Sequence, residues 1–250
     1  IDDFIAPETL ATIPSGSSSP VPLILPGGRS VLARRCRIGA WAALVLDPDT
    51  AASMGATGFD SITAFHTLIE DALGNPDPDI GALAHGLAGA FHRLTGFDRV
   101  MVYEFDTDWN GTVIAEEAAP QLDPRFLGLT FTSSDIPRMA RDLFQQNRVR
   151  PLIDVDGTDI PLISFGHEAP DSIDIGALPE RAVSPIHLAY LRNMGVSATL
   201  TIALIVDGHL WGLLTCHHYD GPRKLSAGDI ALCRVLCDLT AHALSRMHNK

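Results

Sequence analysis

The sequence predicts an α+β domain in which helices flank one antiparallel sheet. Apolar residues recur at helical spacing from Ile80 to Leu94, and Gly96 follows as a helix-ending residue. Two β-rich runs meet at the Val-Asp-Gly sequence of residues 206–208, which predicts a strand hairpin over 198–219. The chain lacks the alternation of strands and helices that a parallel sheet requires, and it contains no internal repeat.

Composition and charge exclude several classes of protein. The 250 residues are 46% hydrophobic and 19% charged, as in an ordinary soluble globular protein. A formal net charge of -12 argues against nucleic-acid binding, which needs a basic surface. No apolar run reaches the roughly 18 residues of a membrane-spanning helix, and no secretion signal opens the chain. The four cysteines form no Cys-x-x-Cys pair, so we expect a protein of the reducing cytoplasm.

The first part of the chain predicts two strands, near 30–36 and 40–47. Because two strands make a poor domain, we expect them to be the last part of a unit whose beginning is absent. A short helix and a Pro/Asp-rich break at 74–79 follow. The break predicts a boundary between a first domain with its linker, residues 1–73, and a second domain, residues 78–250.

The second domain continues with strands at 98–105 and 111–117 and a helix at 133–148. An acidic segment rich in Gly and Pro spans 153–180, and such a long segment is usually functional or disordered. A last helix begins near Ser226, which is a good capping residue. Its apolar residues form one stripe that we expect to pack in a bundle or against a second copy of the chain: Ile230, Cys233, Cys237, Leu244 and Met247.

The stretch Ser-Ser-Asp-Ile-Pro at residues 133–137 leads into a helix with many arginines for an acidic chain. The small polar residues can cap that helix and Pro137 suits its first turn, which leaves the preceding backbone carbonyls to accept from a ligand. The arginines that follow are Arg138, Arg141, Arg148 and Arg150. Either they stabilise the C-terminal end of the helix dipole, or their guanidinium forks bind carboxylates of a ligand.

A second polar cluster contains Arg181, Ser184, His187 and Tyr190 within ten residues. His187 and Tyr190 are three residues apart and would share one face of a helix. A single histidine near a helix is often a core residue, whereas four polar or aromatic groups together favour a binding site. Both interpretations stay open at this point.

The turn of the hairpin decides which histidine of the Cys-His-His sequence shares a face with Thr199. We expect a three-residue loop with Gly208 in the left-handed region, which places His217 there. A plain two-residue turn would shift the register by one and place His218 there instead. Adjacent strand residues point to opposite faces, so no metal site is expected at this sequence. The chain also lacks a nucleophile–base motif and a P-loop, which makes an enzyme the least favoured class.

Three motifs, FTSSDIPRMARDLF, SPIHLAYLRNMG and DGHLWGLLTCHHY, closely resemble the chromophore-binding GAF domain of phytochromes, in particular the bacterial, biliverdin-binding type. The similarity runs over about 80–250, and residues 1–70 resemble the back half of the PAS domain that precedes GAF in that family. The resemblance implies an antiparallel GAF sheet flanked by helices after a partial PAS domain. It also implies a photoreceptor module that binds a linear tetrapyrrole, whose light-driven D-ring isomerisation drives signalling.

The resemblance implies three groups of residues around the pigment. Those next to its pyrrole nitrogens are Asp135, Ile136, Pro137 and His187. Those that bind its propionates are Arg150, Arg181, Ser184, Thr199 and Thr201. Those around the ring that rotates under light are Tyr103, Phe131, Tyr190, Met194 and His217. We expect an apolar floor beneath the pigment, made of Phe131, Met194, Trp211 and Leu213.

The chain departs from the family at the point of pigment attachment. Ile186 stands where plant and cyanobacterial members carry the attaching cysteine. Bacterial members use a cysteine upstream of the PAS core, and neither Cys36 nor Cys216 matches that position, so no covalent anchor is visible. Either the chain is a fragment whose anchor lies upstream, or the pigment binds without a covalent bond. Residues 153–180 would belong to the lasso through which the family threads its N-terminal segment.

The resemblance also implies partners. These are a second copy of the chain, joined through the last helix, and the PHY and output domains of a longer parent protein. The expected module is sensory and not enzymatic, with a light-regulated histidine kinase as the expected parent. The alternative is a GAF domain that binds another small ligand, such as a cyclic nucleotide, or that serves only for dimerisation.

Overall fold

The structure is a computed structural model that describes most of the chain. The described residues are 12–13, 20–25, 27–38, 41–47, 56–75, 77, 79–159, 173–176, 178 and 181–248. The lasso implied for 153–180 therefore lies largely outside the described residues.

A small antiparallel sheet with the strand order β1-β2-β3 forms the first part of the chain. Its strands are β1 (Val21–Ile24), β2 (Ser30–Ile38) and β3 (Trp41–Asp47). Its core consists of Ile13, Leu23, Val31 and Ala33. The sequence predicts β2 and β3 but not β1, because Pro22 interrupts the strand pattern. Proline is tolerated there since β1 lies at the edge of the sheet.

Two helices follow, α1 (Ala56–Gly74) and α2 (Ile80–Thr95). The expectation of a short first helix is wrong, because α1 has 19 residues and packs beside α2. The predicted α2 is confirmed at both ends. The Asp79 carboxylate accepts from the backbone N–H of Ala82 at 3.1 Å, and Gly96 ends the helix with a left-handed φ of 63°.

The main sheet has six antiparallel strands in the order β6-β5-β4-β9-β8-β7. They are β4 (Arg99–Phe105), β5 (Gly111–Ala118), β6 (Thr130–Phe131), β7 (Val149–Leu152), β8 (Ala198–Val206) and β9 (His209–His218). An antiparallel sheet combined with helices confirms the predicted α+β class.

Three long helices, α1, α2 and α5 (Ala227–His248), cover one face of the main sheet. A capping box begins α5, since Ser226 Oγ accepts from the Asp229 N–H at 3.1 Å and the Ser226 N–H donates to Asp229 Oδ2 at 3.3 Å. Most of the predicted apolar stripe is buried against the sheet and the other two helices: Cys233, Cys237, Leu244 and Met247. The stripe therefore packs inside the domain, and a second copy would have to use the outer face of α5.

The β8–β9 hairpin has a two-residue turn, so the expected three-residue loop is wrong. Asp207 and Gly208 have positive φ angles of 50° and 81°, and Val206 pairs with His209. The turn by itself would place His218 on the face of Thr199.

A second irregularity in the same hairpin restores the expected face. The register shifts between Ile205 and Leu204, and Leu204 then pairs with Gly212. Gly212 lies so close to β4 that a Cβ there would meet the Tyr103 carbonyl oxygen at 2.1 Å. The turn and the bulge each move the register by one residue. As a result Thr199 pairs with His217, the histidine that the sequence analysis places there.

The opposite face of the main sheet carries two shorter helices, α3 (Arg138–Gln146) and α4 (Pro185–Asn193). α3 is shorter than the predicted helix at 133–148. Pro137 occupies its N-cap position without a side-chain capping bond. The residue before a proline is disfavoured in the helical conformation, so the helix cannot extend back through residues 133–136.

This shorter helix also corrects the placement of the arginines. Arg138 and Arg141 lie in α3, whereas Arg148 follows the helix and Arg150 lies on β7. Arg141 and Arg148 therefore do not share a helix face, and Arg150 is not part of a helix end. The interpretation as a helix-dipole effect fails for Arg150.

A buried ion pair joins β4 to β5 on the face of the main sheet that carries α3 and α4. Arg99 Nε lies 3.3 Å from Glu116 Oε1, and both side chains are 2% exposed. Glu116 Oε2 accepts from the backbone N–H groups of Phe126 and Leu127 at 2.8 and 2.9 Å. Arg99 Nη2 donates to the Pro124 carbonyl at 2.8 Å. The pair thus fixes the loop between β5 and β6.

Removing one partner of this pair should destabilise the fold more than removing both charges. Arg99→Met should lower the free energy of unfolding by about 3 kcal/mol, because it leaves the Glu116 carboxylate buried without its cation. Adding Glu116→Gln removes that charge and keeps an acceptor for the loop N–H groups, so the double variant should regain at least half of the loss. Urea unfolding of the wild type and both variants measures the difference. Equal stability of the single and double variants would contradict this account.

Candidate functional site

The face of the main sheet that the long helices do not cover is called the site face. The residues of β4, β8 and β9 on it pair across the strands and therefore point the same way. They are Arg99, Met101, Tyr103, Thr199, Thr201, Ala203, Leu213, Thr215 and His217. Aromatic side chains close one end, where the Tyr103 and Phe131 ring centroids are 5.6 Å apart. Thr201 lies directly opposite Arg150 of β7.

The Asp-Ile-Pro segment closes a turn before α3. Asp135 Oδ2 accepts from the Thr132 backbone N–H at 2.8 Å and from Thr132 Oγ1 at 3.0 Å, so this side chain is not a helix cap. The Ile136 carbonyl accepts from Arg141 Nη1 at 2.6 Å. Within the described residues no donor reaches the Asp135 carbonyl. That carbonyl remains available to a ligand, as the sequence argument proposes for this segment.

The second polar cluster lies on α4. The His187 and Tyr190 rings stack with centroids 6.2 Å apart and an interplanar angle of 17°, which confirms that they share a helix face. Ser184 occupies the N-cap position, but its side chain makes no capping bond. Ser184 and His187 are exposed, and Tyr190 is 37% exposed. These groups are open to a molecule bound on the site face.

His187 and His217 lie within electrostatic reach of each other at this face, and both are neutral. His217 is 5% exposed, and its Nδ1 has no partner among the described residues. Burial, with smaller contributions from the charges of Arg99 and His187, lowers the pKa of His217 to about 3. His187 is more accessible, yet its partial burial and the charge of Arg150 also lower its pKa. At neutral pH each imidazole therefore offers one N–H donor and one acceptor nitrogen.

Two arginines are held close together at the end of the site near α4. Arg150 donates to the Ala182 carbonyl at 3.1 Å and also to the Arg181 carbonyl. Arg181 donates to the carbonyls of Gly176 and Leu178 at 3.2 and 3.1 Å. Burial lowers the pKa of Arg181, and among the described residues no carboxylate pairs with it. A guanidinium has five N–H donors, so donors of Arg181 remain for a ligand anion.

The phenol groups at this site stay protonated. Burial raises the pKa of Tyr103 well above its usual range, with further contributions from Tyr190 and Asp135. Burial and the Asp135 charge also raise the pKa of Tyr190. Because Asp135 acts on both tyrosines, the Asp-Ile-Pro segment and the two phenol groups lie within electrostatic reach of one another.

Two residues expected in the apolar floor lie elsewhere. Met194 packs with Leu152 and Val155 in a separate cluster, apart from Tyr103 and Phe131. Trp211 faces the long helices, and its ring meets that of His248 with centroids 6.4 Å apart. The register shift beside Gly212, which the sequence does not reveal, sets the direction of Trp211.

The sequence analysis missed the roles of Arg99, Glu116 and Trp109. A signal existed for Arg99, since it alternates in phase with Met101 and Tyr103 on the site face of β4. A charged residue at an inward position of a strand indicates a buried ion pair. No comparable signal exists for Trp109, whose φ of 66° is unusual for a bulky residue.

The cysteines and the described helices limit other kinds of site. Cys216, Cys233 and Cys237 are buried between the main sheet and α5, where burial raises their pKa values. Cys36 lies on β2 of the small sheet. Among the described residues, no group of three or more His, Cys, Asp or Glu side chains is arranged to hold a metal ion. None of the helices described is both long and apolar enough to span a bilayer.

Comparison with known proteins gives a consistent result. The GAF domain family model matches residues 79–244. The chain is 46% identical over 144 residues to a bacteriophytochrome of Xanthomonas campestris, covering 57% of this chain and 23% of that protein. It is 39% identical over 160 residues to cyanobacterial phytochrome B of Nostoc, covering 64% of this chain and 21% of that protein. The chain thus spans less than a quarter of the length of these relatives.

The fold is similar to that of solved phytochrome fragments. The chromophore-binding domain of Stigmatella aurantiaca phytochrome P1 superposes with a TM-score of 0.78 at 34% identity. The match covers 89% of this chain and 72% of that one. The family match, the order of the sheet and these relatives show that the chain belongs to the GAF domain family and is similar to the chromophore-binding domains of phytochromes.

Proposed function

We propose that this chain is the photosensory module of a phytochrome and binds the linear tetrapyrrole biliverdin on the site face. The observation that supports this most is the pair of guanidinium groups, Arg150 and Arg181, that backbone carbonyls hold at one end of the site, with Arg150 within electrostatic reach of His187. Arg181 has no carboxylate partner among the described residues, and a cation withdrawn from water calls for an anion. Biliverdin carries two propionates, which would supply it.

The remaining polar groups match the other parts of such a pigment. The hydroxyls of Ser184, Thr199 and Thr201 would assist the arginines at the propionates. The Asp135 carbonyl would accept from pyrrole N–H groups, and His187 would hold a water shared by them. Ile136 and Pro137 shape this segment, since Ile136 packs into the aromatic cluster of the site face.

The aromatic residues at one end of the site would surround the D ring of the pigment, which rotates under light. Tyr103, Phe131 and Tyr190 would surround that ring, and neutral His217 would donate its N–H to the ring carbonyl. Met194, which packs against the neighbouring cluster around Leu191, would border the same ring. When bound, the tetrapyrrole supplies the absorption of red light and the double bond that isomerises. The chain binds and orients it and keeps water from the buried imidazole.

The wider context belongs to the same proposal. The small sheet would be the last part of a PAS domain, with the boundary near 74–79, and PHY and output domains would follow in a cytoplasmic parent such as a histidine kinase. None of the four cysteines of this chain lies on the site face. We therefore expect the pigment to bind this segment without a covalent bond.

Arg150→Ala and Arg181→Ala should each weaken biliverdin binding about tenfold or more, because each removes a charge-assisted hydrogen bond to a propionate. Titration followed at the red absorption band measures the dissociation constants. Arg148→Ala is the matched control, since Arg148 pairs with Asp238 of α5 at 2.6 Å and not with the site. Unchanged binding in both site variants would count against the assignment of Arg150 and Arg181 to the propionates. Binding of cyclic GMP or cyclic AMP without a red band would favour the alternative ligand class.

The ligand-free chain should lose stability as pH falls below about 6.5. In the unfolded chain His217 binds a proton near its ordinary pKa, whereas in the folded chain it does so only near pH 3. Its contribution between pH 6.5 and 5 is about 2 kcal/mol. His217→Gln should flatten this slope in urea unfolding at a series of pH values. His242→Gln, on the exposed side of α5, should leave the slope unchanged. An equal slope in wild type and His217→Gln would refute the assignment.

We also propose a homodimer through the outer face of α5. Val235 and Leu239 are 54% and 45% exposed and lie four residues apart, on one helix face. Val235→Asp and Leu239→Asp should convert a dimer to a monomer in sedimentation velocity. Met139→Asp, at an apolar residue on α3 that is 75% exposed, should leave the dimer intact. A wild-type chain that sediments as a monomer at high micromolar concentration would contradict this proposal.

A further inference from the structure

The turn between β4 and β5 holds Trp109 in a costly conformation. Its φ of 66° lies in the left-handed region, which a bulky side chain rarely adopts. Several hydrogen bonds hold it there. The Trp109 N–H donates to the Asp106 carbonyl at 3.1 Å. Asp106 Oδ1 accepts from the backbone N–H groups of Asp108 and Asn110 at 2.9 and 2.8 Å, and Asn110 Nδ2 donates to Oδ2 at 2.9 Å.

Strain that a network of this kind maintains usually serves a contact made elsewhere. Here the indole of Trp109 lies under the guanidinium of Arg141, whose Cζ is 4.6 Å from the ring centroid. The neighbouring Asn110 Oδ1 accepts from the Ser133 backbone N–H at 3.3 Å. The turn therefore touches the Asp-Ile-Pro region at two places, through one side chain of α3 and one backbone amide.

Arg141 connects the turn to the segment itself. Its Nη1 donates to the Ile136 carbonyl at 2.6 Å and lies 3.4 Å from the Ser133 carbonyl. The guanidinium lies over the Trp109 ring while its Nη1 binds the backbone on both sides of Asp135. A lysine has only one nitrogen for the two carbonyls and the ring together, whereas Arg141 binds the carbonyls through Nη1 and keeps the rest of its guanidinium over the indole.

We propose that Trp109 and Arg141 form a clasp that positions the Asp-Ile-Pro segment, so that the Asp135 carbonyl faces the ligand. Both are positioning residues, since they act through Asp135. The claim about the pigment rests on the proposed function, whereas the claim about the segment does not. Arg141, which the sequence analysis offers as a carboxylate ligand, is thereby assigned to the protein's own backbone.

Hydrogen exchange of the ligand-free chain tests the clasp independently of any pigment. Trp109→Asn suits the left-handed backbone but removes the indole, so its effect reports on the stacking and not on relief of strain. Trp109→Asn and Arg141→Lys, each made as a single variant, should speed exchange of the Ser133 and Asp135 amides about tenfold. This is the change expected for loss of one cation–π contact. Arg138→Ala is the matched control on the same helix, since that side chain is 88% exposed.

Amides in α2, such as those of Leu87 and Phe91, show whether the effect is local. Exchange that rises at Ser133 and Asp135 but not in α2 supports the clasp. Unchanged exchange in both variants, or an equal rise in α2, overturns it. Trp109→Phe, which keeps an aromatic face, should restore at least half of the protection.

The absorption band of the biliverdin-loaded chain gives a second readout. The two clasp variants should bind biliverdin within about threefold of wild type, because neither residue is among those proposed to bind the pigment directly. Their red band should broaden and lose peak height, because Asp135 is held less well. An unaltered band despite faster exchange would show that Asp135 is not placed for the pigment and would overturn that part of the clasp. Failure of the wild type itself to bind would reject the proposed function and leave the exchange result standing.

Discussion

The register of the β8–β9 hairpin is the constraint on which the site depends. A slip of one residue would exchange every inward and outward side chain on two central strands. The two-residue turn at Asp207 and Gly208 and the bulge at Leu204 are each one-residue shifts, and only together do they bring His217 to face the site. Gly212 is required at the bulge because the Tyr103 carbonyl leaves no space for a Cβ. The backbone thus holds one neutral histidine on the site face, directly opposite Arg99 of β4.

The arginines of this acidic chain divide into two kinds. Arg99 and Arg141 bind the protein's own carboxylate and carbonyl groups, and each of them fixes a loop that borders the site face. Arg148 pairs with Asp238 on the helix-covered side. The pair formed by Arg150 and Arg181 differs from these, because backbone carbonyls orient both guanidinium groups beside the open end of the site. Arg150 and Arg181 therefore stand where an anionic ligand would bind, whereas Arg99 and Arg141 maintain the shape of the loops.

Elements with strong local signals could be predicted from the sequence, and elements set by non-local contacts could not. The period of α2 and its Gly96 end are local signals, and both predictions are confirmed. The start of α3 was misplaced by the weight given to residues 133–135 as caps, when the restriction before Pro137 prevails. The strand β1 was missed because it depends on pairing with β2 and not on its own composition.

The same difference between local signals and non-local contacts applies to the residues of the site. The motif around His187 and Tyr190 placed both on one helix face because helical spacing is local. The face of His217 is predicted correctly although the turn type is not. The turn and the bulge each shift the pairing by one residue, and a total shift of two residues leaves every side chain on the same face of the strand. The direction of Trp211, the partners of Arg141 and the burial of Arg99 depend on contacts between distant segments. Residue type alone carries no information about them.

The absorption spectrum of the purified chain with biliverdin, recorded before and after unfolding in denaturant, tests the central claim most directly. A folded site that surrounds the pigment should produce an intense, narrow red band that collapses on unfolding. Because no thiol of this segment lies on the site face, the pigment should then separate from the chain on gel filtration in denaturant. A spectrum identical to that of free biliverdin, with the chain shown to be folded by circular dichroism, would contradict the account.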